Sequence, residues 1–406
     1  MRTMKLFLEK TTLIWFLVCG LYVAAFSELS WQQGVTDAES PVLETMAPFV
    51  SADFPPRIGN ILEFKEFAGV GYYAIAGSVF HLLKSNLPKF RIVHLVVFLL
   101  ALGLFVKLGR HFTYRNRLNP LWVSLGLGIF ALNPYSWQAA FWIGPWGFFL
   151  LLMFLGLYCY EKDFYGWACV FVSIAALVHW IGILLPLAFV VTKVTEERAK
   201  VLDAARIFYF IVPFVVAVLP FFAWKGIYPP ELSQNLSQYK EQAGIFRFDH
   251  FTYALALLPL YTLWFTWSWA FRSRTRALTI SGIAAGVSIL FFFIKPIQND
   301  VWHFVVTGQT QAVGLVDLGA ALVAGEYKNF LLCVPYLAGV FFFFLLLTMD
   351  VLDRSRVLRF FIVFFFILQL FLPSAGDGVF LVVVPFILLF SLAEALVGEE
   401  GNLTRI

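Results

Sequence analysis

Apolar segments follow one another along almost the whole chain. Hydrophobic residues make up 61% of the sequence and charged residues 13%, and the mean hydropathy is +0.82. A soluble fold of this composition would expose too much apolar surface to water. Apolar runs of about 17 to 25 residues, or shorter runs in pairs, predict about thirteen membrane segments. They lie near residues 11–27, 67–84, 92–108, 120–134, 146–160, 165–178, 181–193, 206–223, 252–271, 278–295, 330–349, 357–372 and 379–396.

This pattern predicts an all-α fold, a polytopic bundle of about 12 to 13 transmembrane helices. We expect it to form a single transmembrane domain over residues 1–406. The 48 Phe, 13 Trp and 15 Tyr residues suit a lipid-facing exterior with aromatic belts at the membrane interfaces. The four cysteines all fall in apolar runs without CxxC spacing, so we interpret them as packing residues rather than disulfide or zinc ligands.

The first segment has two interpretations. Residues 1–10 carry Arg2, Lys5 and Lys10 ahead of an apolar run, as in a secretory signal peptide. No clear small-x-small cleavage site follows, so we expect a retained first helix.

Clusters of positive charge predict the orientation. Residues 193–206, 272–276 and 354–359 are rich in Lys and Arg and belong in the cytoplasm. The external loops are then residues 27–66, 223–251 and 295–329. The basic stretches 84–91 and 107–117 disagree with this scheme, because they lie at opposite ends of one apparent helix. Either the segment near 67–85 does not fully cross, or one basic stretch is external and meets anionic headgroups.

The first external loop concentrates acidic residues beside the membrane. Asp37 and Glu39 form an Asp-x-Glu pair, and Asp53 directly precedes Phe54-Pro55-Pro56. A loop with this many charges at a membrane surface is either solvated or catalytic. Asp37 could equally cap a short interfacial helix, and Asp53 could be a turn residue before the two prolines.

A helix, an external loop with an early Asp-x-Glu, a later Asp next to Pro-Pro and then an aromatic-rich helix resemble the GT-C superfamily of membrane glycosyltransferases. Protein O-mannosyltransferases share this plan. The likeness continues through Phe90-Arg91-Ile92 and residues 107–110, 131–134 and 157–162, and it covers about the first 200 residues. Two departures are that Ala38 separates the acids of the first pair and that the turn at 135–145 contains no acid.

The resemblance implies a hexosyltransferase that uses a polyprenyl-phosphate-linked sugar and inverts the anomeric carbon. The acceptor hydroxyl becomes acidic only as the new bond forms, so a carboxylate is needed to take its proton, which contributes about 10²- to 10⁴-fold. The candidate catalytic residues are Asp37, Asp53 and Glu39. The polyprenyl phosphate that leaves carries extra negative charge and needs cations nearby. The candidate substrate-binding residues are Arg57, Lys65, His179, Lys225, Lys240, Arg247 and His250.

Each binding residue also has a structural interpretation. Arg57 could pair with Glu63 or reach lipid headgroups, and Lys240 and Arg247 could be solvated charges. His179 could donate a hydrogen bond to phosphate or sugar, or pack in the interfacial belt. Trp142 and Trp146 could stack on a sugar ring or mark the interface.

The sequence predicts no specific cofactor. A divalent metal ion, Mg²⁺ or Mn²⁺, is the alternative. Asp37 and Asp53 could hold such an ion together with the donor phosphate, whereas Asp300 and His303 show too few converging ligands for a site. The expected partners are the lipid-linked donor, a lipid-linked, protein or glycan acceptor and membrane lipids, without nucleic acid. A bacterial inner membrane is favoured over the endoplasmic reticulum, although Asn235-Leu236-Ser237 is a formal glycosylation site.

Two other functions stay open at this stage. A lipid-linked-sugar transporter or flippase would place charges near the bilayer centre on broken helices, often in two related halves. An envelope glycan polymerase or ligase would concentrate arginines in late external loops. The acids of the first loop favour the transferase.

Overall fold

The structure is a computed structural model, and every regular element that it describes is helical. It describes residues 2–29, 34–36, 39–50, 64, 69–115, 121–196, 204–224, 248–272, 274–294, 328–349, 351, 355–371, 380 and 382–394. This confirms the all-α prediction. In chain order the helices are α1 (Arg2–Leu29), α2 (Ser40–Val50), α3 (Val70–Leu82), α4 (Leu87–Arg115), α5 (Leu121–Ala131), α6 (Pro134–Phe141), α7 (Trp146–Glu161), α8 (Tyr165–Val178), a 3-10 helix (Trp180–Ile183), α9 (Leu184–Glu196), α10 (Ala204–Trp224), α11 (Phe248–Arg272), α12 (Arg274–Ile294), α13 (Lys328–Thr348), α14 (Arg356–Gln369) and α15 (Val384–Glu394).

Each predicted apolar segment contains a helix, and the described residues form two further helices. The helix α2 lies inside the first predicted external loop, where its mixed composition gives no membrane signal. The short helix α6 begins at Pro134, a residue that suits the first helical position because its φ is fixed and it needs no N–H partner there.

Two of the described helices are long and apolar enough to cross a membrane alone, over Thr11–Glu28 and Leu87–Thr113. A third results if Tyr135–Phe141 and Trp146–Glu161 are one broken span, because they are bent by 102° at the intervening residues. Eight more apolar helices are shorter. The chain is thus organised as a multi-pass membrane protein.

The chain divides into two compact units, each discontinuous in sequence. One unit contains residues 13–105 and 136–243, and the other contains residues 1–12, 106–135 and 244–406. We call these the loop unit and the C-terminal unit. The prediction of one transmembrane domain stays a prediction.

In the loop unit, α1 and α4 run antiparallel. Trp15, early in α1, packs against Gly103 of α4: a Cβ added to Gly103 would lie 3.3 Å from the Trp15 ring. Further along α1, the buried Tyr22 ring meets Phe98 with the centroids 5.6 Å apart. Because residue numbers rise along α1 as they fall along α4, the start of α4 lies at the first-loop end of α1.

The antiparallel direction of α4 bears on the basic stretches 84–91 and 107–117, which disagreed with the orientation predicted from charge. Arg91, in the second turn of α4, donates to the Gly34 carbonyl of the first loop. The basic stretch 84–91 therefore lies at the first-loop end of α4. Its Arg91 side chain is fully buried, so it cannot serve as an exposed cation that sets orientation.

The helix α3 is too short to cross a bilayer alone. It contains 13 residues and spans about 20 Å, whereas the hydrocarbon core is about 30 Å thick. Lys84 and Ser85 adopt φ of 56° and 54° and turn the chain tightly into α4. These features favour the interpretation that the segment near 67–85 does not fully cross.

In the C-terminal unit, α11 and α13 approach at backbone distance. A Cβ on Gly339 of α13 would lie 1.8 Å from the Leu255 carbonyl oxygen of α11, so glycine is required at that crossing. The buried Trp269 donates through Nε1 to Ser391 Oγ of α15 at 3.0 Å. This hydrogen bond satisfies the polar atom of a large buried ring.

Candidate functional site

The candidate site in the loop unit begins with the chain turn that leads into α2. The Ser40 and Glu39 amides both donate to the Thr36 carbonyl at 3.0 Å. The Glu39 Oε2 atom accepts from the Thr36 amide and from Thr36 Oγ1, each at 3.1 Å. The bond from the Thr36 amide to the Glu39 carboxylate is one half of a Thr-x-x-Glu capping box, the half in which the glutamate bonds back to the backbone three residues earlier. Hydrogen bonds between Thr36 and Glu39 thus join the two residues that flank positions 37 and 38 in the sequence.

Arg91 of α4 binds the same carboxylate from across the unit. Its Nε donates to Glu39 Oε1 at 2.8 Å, and its Nη2 donates to Glu39 Oε2 and forms an ion pair with it. The same Nη2 donates to the Gly34 carbonyl at 2.7 Å. Neither side chain of the pair is exposed to solvent. The bidentate geometry fixes both the position and the orientation of the first loop on α4.

A third contact to Glu39 comes from the break between α6 and α7. The Ile143 amide donates to Glu39 Oε1 at 3.2 Å. Residues 142–145 separate two helices that meet at 102°, and the Ile143 amide lies in this break, where a continuous helix no longer supplies its partner. Glu39 therefore satisfies one amide at the α6–α7 break.

The Glu39 carboxylate is saturated with donors and stays ionised. Burial opposes its ionisation and by itself raises the pKa. The hydrogen bonds from Arg91, Thr36 and Ile143, together with the positive charge of Arg91, outweigh burial, so the pKa of Glu39 lies below its ordinary value of 4.5. A carboxylate has room for about four donors, and the two oxygens here receive five hydrogen bonds from Arg91, Thr36 and Ile143.

His94 lies one turn beyond Arg91 on α4 and binds α3. Its Nδ1 lies 3.0 Å from the Phe90 carbonyl, a bond in which only the ring nitrogen can donate. Its Nε2 is then the acceptor for the Tyr72 hydroxyl at 2.9 Å. Both side chains are fully buried. The pair holds the first turn of α3 against the part of α4 that carries Arg91.

His179 lies on the other side of the α6–α7 break, at the end of α8. Its ring is 4.8 Å from the Trp146 ring, the first residue of α7. Trp180 and Phe149 add rings at 6.0 and 5.6 Å. Only 8% of His179 is exposed. The α3 end also reaches this place, because a Cβ on Gly71 would lie 2.7 Å from Leu177 Cβ.

The structure thus brings two sequence-predicted site residues to one element. Glu39 contacts Ile143 in the turn between α6 and α7, and His179 contacts Trp146, the residue that begins α7 directly after this turn. His250 is buried in α11 of the C-terminal unit. The other predicted site residues, Asp37, Asp53, Arg57, Lys65, Lys225, Lys240 and Arg247, lie outside the described residues.

Four residues of this site were not among the sequence-predicted ones: Arg91, His94, Tyr72 and Ile143. The sequence did contain one signal for two of them. Arg91 and His94 are three residues apart and therefore share one face of a long apolar helix, where charged or polar groups are uncommon and usually functional. The contact of Ile143 is made by its backbone, for which no side-chain pattern exists.

Metal ligands do not converge in the part of the chain that the structure describes. No group of three or more His, Cys, Asp or Glu side chains comes together there. The two acids predicted to share a divalent ion, Asp37 and Asp53, lie outside that part. The possible Mg²⁺ or Mn²⁺ stays a prediction.

The chain matches no protein-family model and no curated protein sequence at a significant level. Among solved structures, it is similar to the crystal structure of ArnT from Cupriavidus metallidurans in the apo state. The two chains are 14% identical, the match covers 98% of this chain and 76% of that one, and the TM-score is 0.40.

Proposed function

We propose that this protein is a membrane glycosyltransferase of GT-C type. It transfers a sugar, with inversion, from a polyprenyl-phosphate donor to an acceptor at the external face of the membrane. The observation that carries this proposal is the buried Glu39–Arg91 ion pair. It attaches the acid-bearing first loop to a membrane helix and to a broken span.

The cost of this ion pair argues for a functional role. Removing a carboxylate and a guanidinium from water costs several kcal/mol for each ion, and hydrophobic residues of similar size often stabilise a protein as well or better. Ionisable residues inside membrane bundles usually mark substrate or ion paths. Backbone that is not helical occurs at membrane depth where it is buried in protein or lines a water-filled cavity. The α6–α7 break next to Glu39 fits such a place.

In this proposal Asp37 is the general base and Glu39 positions it. Asp37 is two positions from Glu39 in the sequence, inside the segment bounded by the Thr36–Glu39 bonds. Glu39 itself is saturated by donors and has a lowered pKa, which suits holding the loop better than accepting a proton. Asp53 is the second candidate base.

The reaction follows from these roles. The acceptor oxygen attacks the anomeric carbon, the bond from that carbon to the phosphate oxygen breaks, and the acceptor proton passes to the carboxylate. The polyprenyl phosphate leaves with the bonding electrons. The proposed phosphate contacts are Arg57, Lys65, Lys225, Lys240, Arg247 and His250, and His179 is a further substrate-binding residue.

The test is transfer of radiolabelled sugar from a panel of polyprenyl-phosphate hexoses and pentoses to membrane extracts. Wild type is compared with Asp37→Asn and Asp53→Asn. Asp163→Asn is the matched control, because Asp163 is an exposed acid in the α7–α8 turn. We expect loss of about 10²- to 10⁴-fold in the variant of the base and unchanged transfer in the control.

Other outcomes would change the proposal. Transfer that survives in both Asp37→Asn and Asp53→Asn contradicts the first-loop mechanism. A wild type that moves labelled lipid between the leaflets of vesicles, without transferring its sugar, would identify a flippase. A wild type that lengthens a lipid-linked glycan chain would identify a polymerase.

A further inference from the structure

We propose that His179 is a neutral hydrogen-bond donor to the sugar of the donor lipid, and that it does not bind the phosphate. This inference rests on the proposed function and deepens it. It assigns one described residue to one chemical part of the substrate, the hydroxyl groups of a sugar ring.

The hydrogen bonds of His179 determine which ring nitrogen carries the proton. Its Nδ1 accepts from the Ile181 amide at 3.3 Å. A nitrogen that accepts a hydrogen bond carries no proton, so in the neutral ring the proton is on Nε2. Among the described residues, Nε2 has no hydrogen-bond partner. Within the described part of the chain, the ring therefore presents one N–H donor without a partner, on a side chain that is more than nine-tenths buried.

The surroundings fix the ring in place. The ring of Trp146 is tilted by 35° at 4.8 Å, and that of Trp180 is stacked at 25° and 6.0 Å. Phe149 meets the histidine at 64°, closer to edge-on, at 5.6 Å. Aromatic neighbours on several sides leave the imidazole little rotational freedom, so little entropy is lost when its N–H binds a ligand.

The same surroundings favour a sugar over a phosphate. A phosphate carries negative charge and is usually bound by Arg or Lys, whose cationic N–H groups make strong hydrogen bonds to its oxygens. A neutral imidazole among Trp and Phe rings offers one donor and no positive charge. A sugar ring has hydroxyl oxygens that accept such a bond and C–H faces that contact aromatic rings.

The location agrees with this assignment. Trp146 begins α7 directly after the break whose Ile143 amide binds Glu39. Glu39 in turn belongs to the loop that carries Asp37, the proposed base. The anomeric carbon is the sugar atom that is bonded to the phosphate oxygen. A base-bearing loop and a residue that binds the sugar, placed around one break, therefore suit attack at that carbon.

Three substitutions test the donor role. His179→Gln keeps an amide N–H near the position of Nε2, His179→Asn places its amide near Nδ1, and His179→Phe keeps an aromatic ring without any donor. We measure binding of a polyprenyl-phosphate sugar and of the sugar-free polyprenyl phosphate to the purified full chain. Tryptophan fluorescence reports binding, since Trp146 and Trp180 lie beside the histidine.

We expect His179→Phe and His179→Asn to weaken binding of the sugar-bearing lipid about tenfold, with His179→Gln close to wild type and all four proteins equal for the sugar-free lipid. In transfer assays, KM should rise in the Phe and Asn variants more than kcat falls. Equal weakening for both lipids, or no weakening in His179→Phe, would overturn the assignment. A wild type that neither binds nor transfers any sugar lipid of the panel would instead overturn the proposed function itself, and the assignment with it.

Discussion

Glu39 and Arg91, 52 positions apart in the sequence, meet as a fully buried bidentate ion pair. The pair joins a loop to a membrane helix, and the Ile143 amide adds a broken span to the same carboxylate. One side chain thereby holds three parts of the loop unit together. The Glu39 carboxylate is thus one of the groups that position the acid-bearing loop, together with the Arg91 bond to the Gly34 carbonyl.

Removing one member of this pair is expected to destabilise the protein strongly. Glu39→Ala leaves Arg91 buried without its counter-ion, which costs about 3 to 5 kcal/mol in the free energy of unfolding. The double variant Glu39→Met with Arg91→Met removes both charges and should recover much of that loss. Unfolding by SDS, followed by circular dichroism in mixed micelles, measures each free energy.

A matched glutamate on α2 provides the control for this experiment. Glu44 is exposed and accepts from Ser40 Oγ at 3.0 Å, so Glu44→Ala should change the free energy of unfolding by no more than about 0.5 kcal/mol. If Glu39→Ala and Glu44→Ala have equal effects, the ion pair does not hold the loop.

Much of the fold follows from the sequence, because a long apolar segment in a bilayer usually forms an α-helix. A membrane-spanning chain must satisfy its backbone within itself, which makes each long apolar run a helix. The helix α2 had a local signal of its own in Thr36 and Glu39, whose spacing allows the capping box. Part of the candidate site could also be predicted from the sequence, since the residue types and positions of Glu39 and His179 had made both of them candidates.

The partners of these residues could not be predicted, because they depend on tertiary contacts. Arg91 was grouped with the basic stretch 84–91, and charge counting cannot distinguish a buried cation from an exposed one. The Ile143 contact uses a backbone amide that is free only because the helix breaks there. Neither fact is visible before the helices are placed against each other.

Acid is expected to release the first loop. The folded pKa of Glu39 lies below the ordinary value of 4.5, so the unfolded state binds the proton more readily. The stabilisation is then complete above 4.5 and is lost as the pH falls through the lower, folded value. The melting temperature of wild type minus that of Glu39→Gln should be constant from neutral pH to about 4.5 and shrink below it. A difference that shrinks instead as the pH rises above neutral would contradict the assignment.

The Tyr72–His94 hydrogen bond is expected to contribute to stability through His94. Tyr72→Phe leaves the buried Nε2 acceptor without its donor, which costs about 1 to 3 kcal/mol. His94→Leu removes that acceptor, so adding Tyr72→Phe to it should cost less than Tyr72→Phe in wild type. A double-mutant cycle of unfolding free energies measures the difference. Strict additivity would show that the two side chains do not interact.

The glycine that directly precedes α3 is expected to tolerate no side chain. A Cβ on Gly69 would lie 1.8 Å from the Leu177 carbonyl oxygen, just before His179. Gly69→Ala must shift that backbone and should lower stability by about 1 to 3 kcal/mol, and we expect it to weaken binding of the sugar-bearing lipid as well. The control is Gly20→Ala in α1, where no atom of the described residues, apart from the neighbouring backbone of α1 itself, lies within 4 Å of the new Cβ. That variant should bind like wild type, and equal effects of the two changes would show that the contact at Leu177 is not tight.

The start of α4 and the first loop are expected to face the same side of the membrane. Arg91 binds Gly34 and Glu39 of that loop, and the turn at Ser85 directly precedes α4. By contrast, α7 starts beside Glu39 at the break and contains 16 residues, which carries its far end about 24 Å away, most of the about 30 Å thickness of the hydrocarbon core. In a variant with the four native cysteines replaced, Ser85→Cys and Ser40→Cys should react with a membrane-impermeant thiol reagent from the external side, and Lys162→Cys only from the cytoplasmic side. Labelling of Ser85→Cys from the side opposite to Ser40→Cys would refute the antiparallel arrangement of α1 and α4, because it would place the two ends of the Glu39–Arg91 contact on different faces of the bilayer.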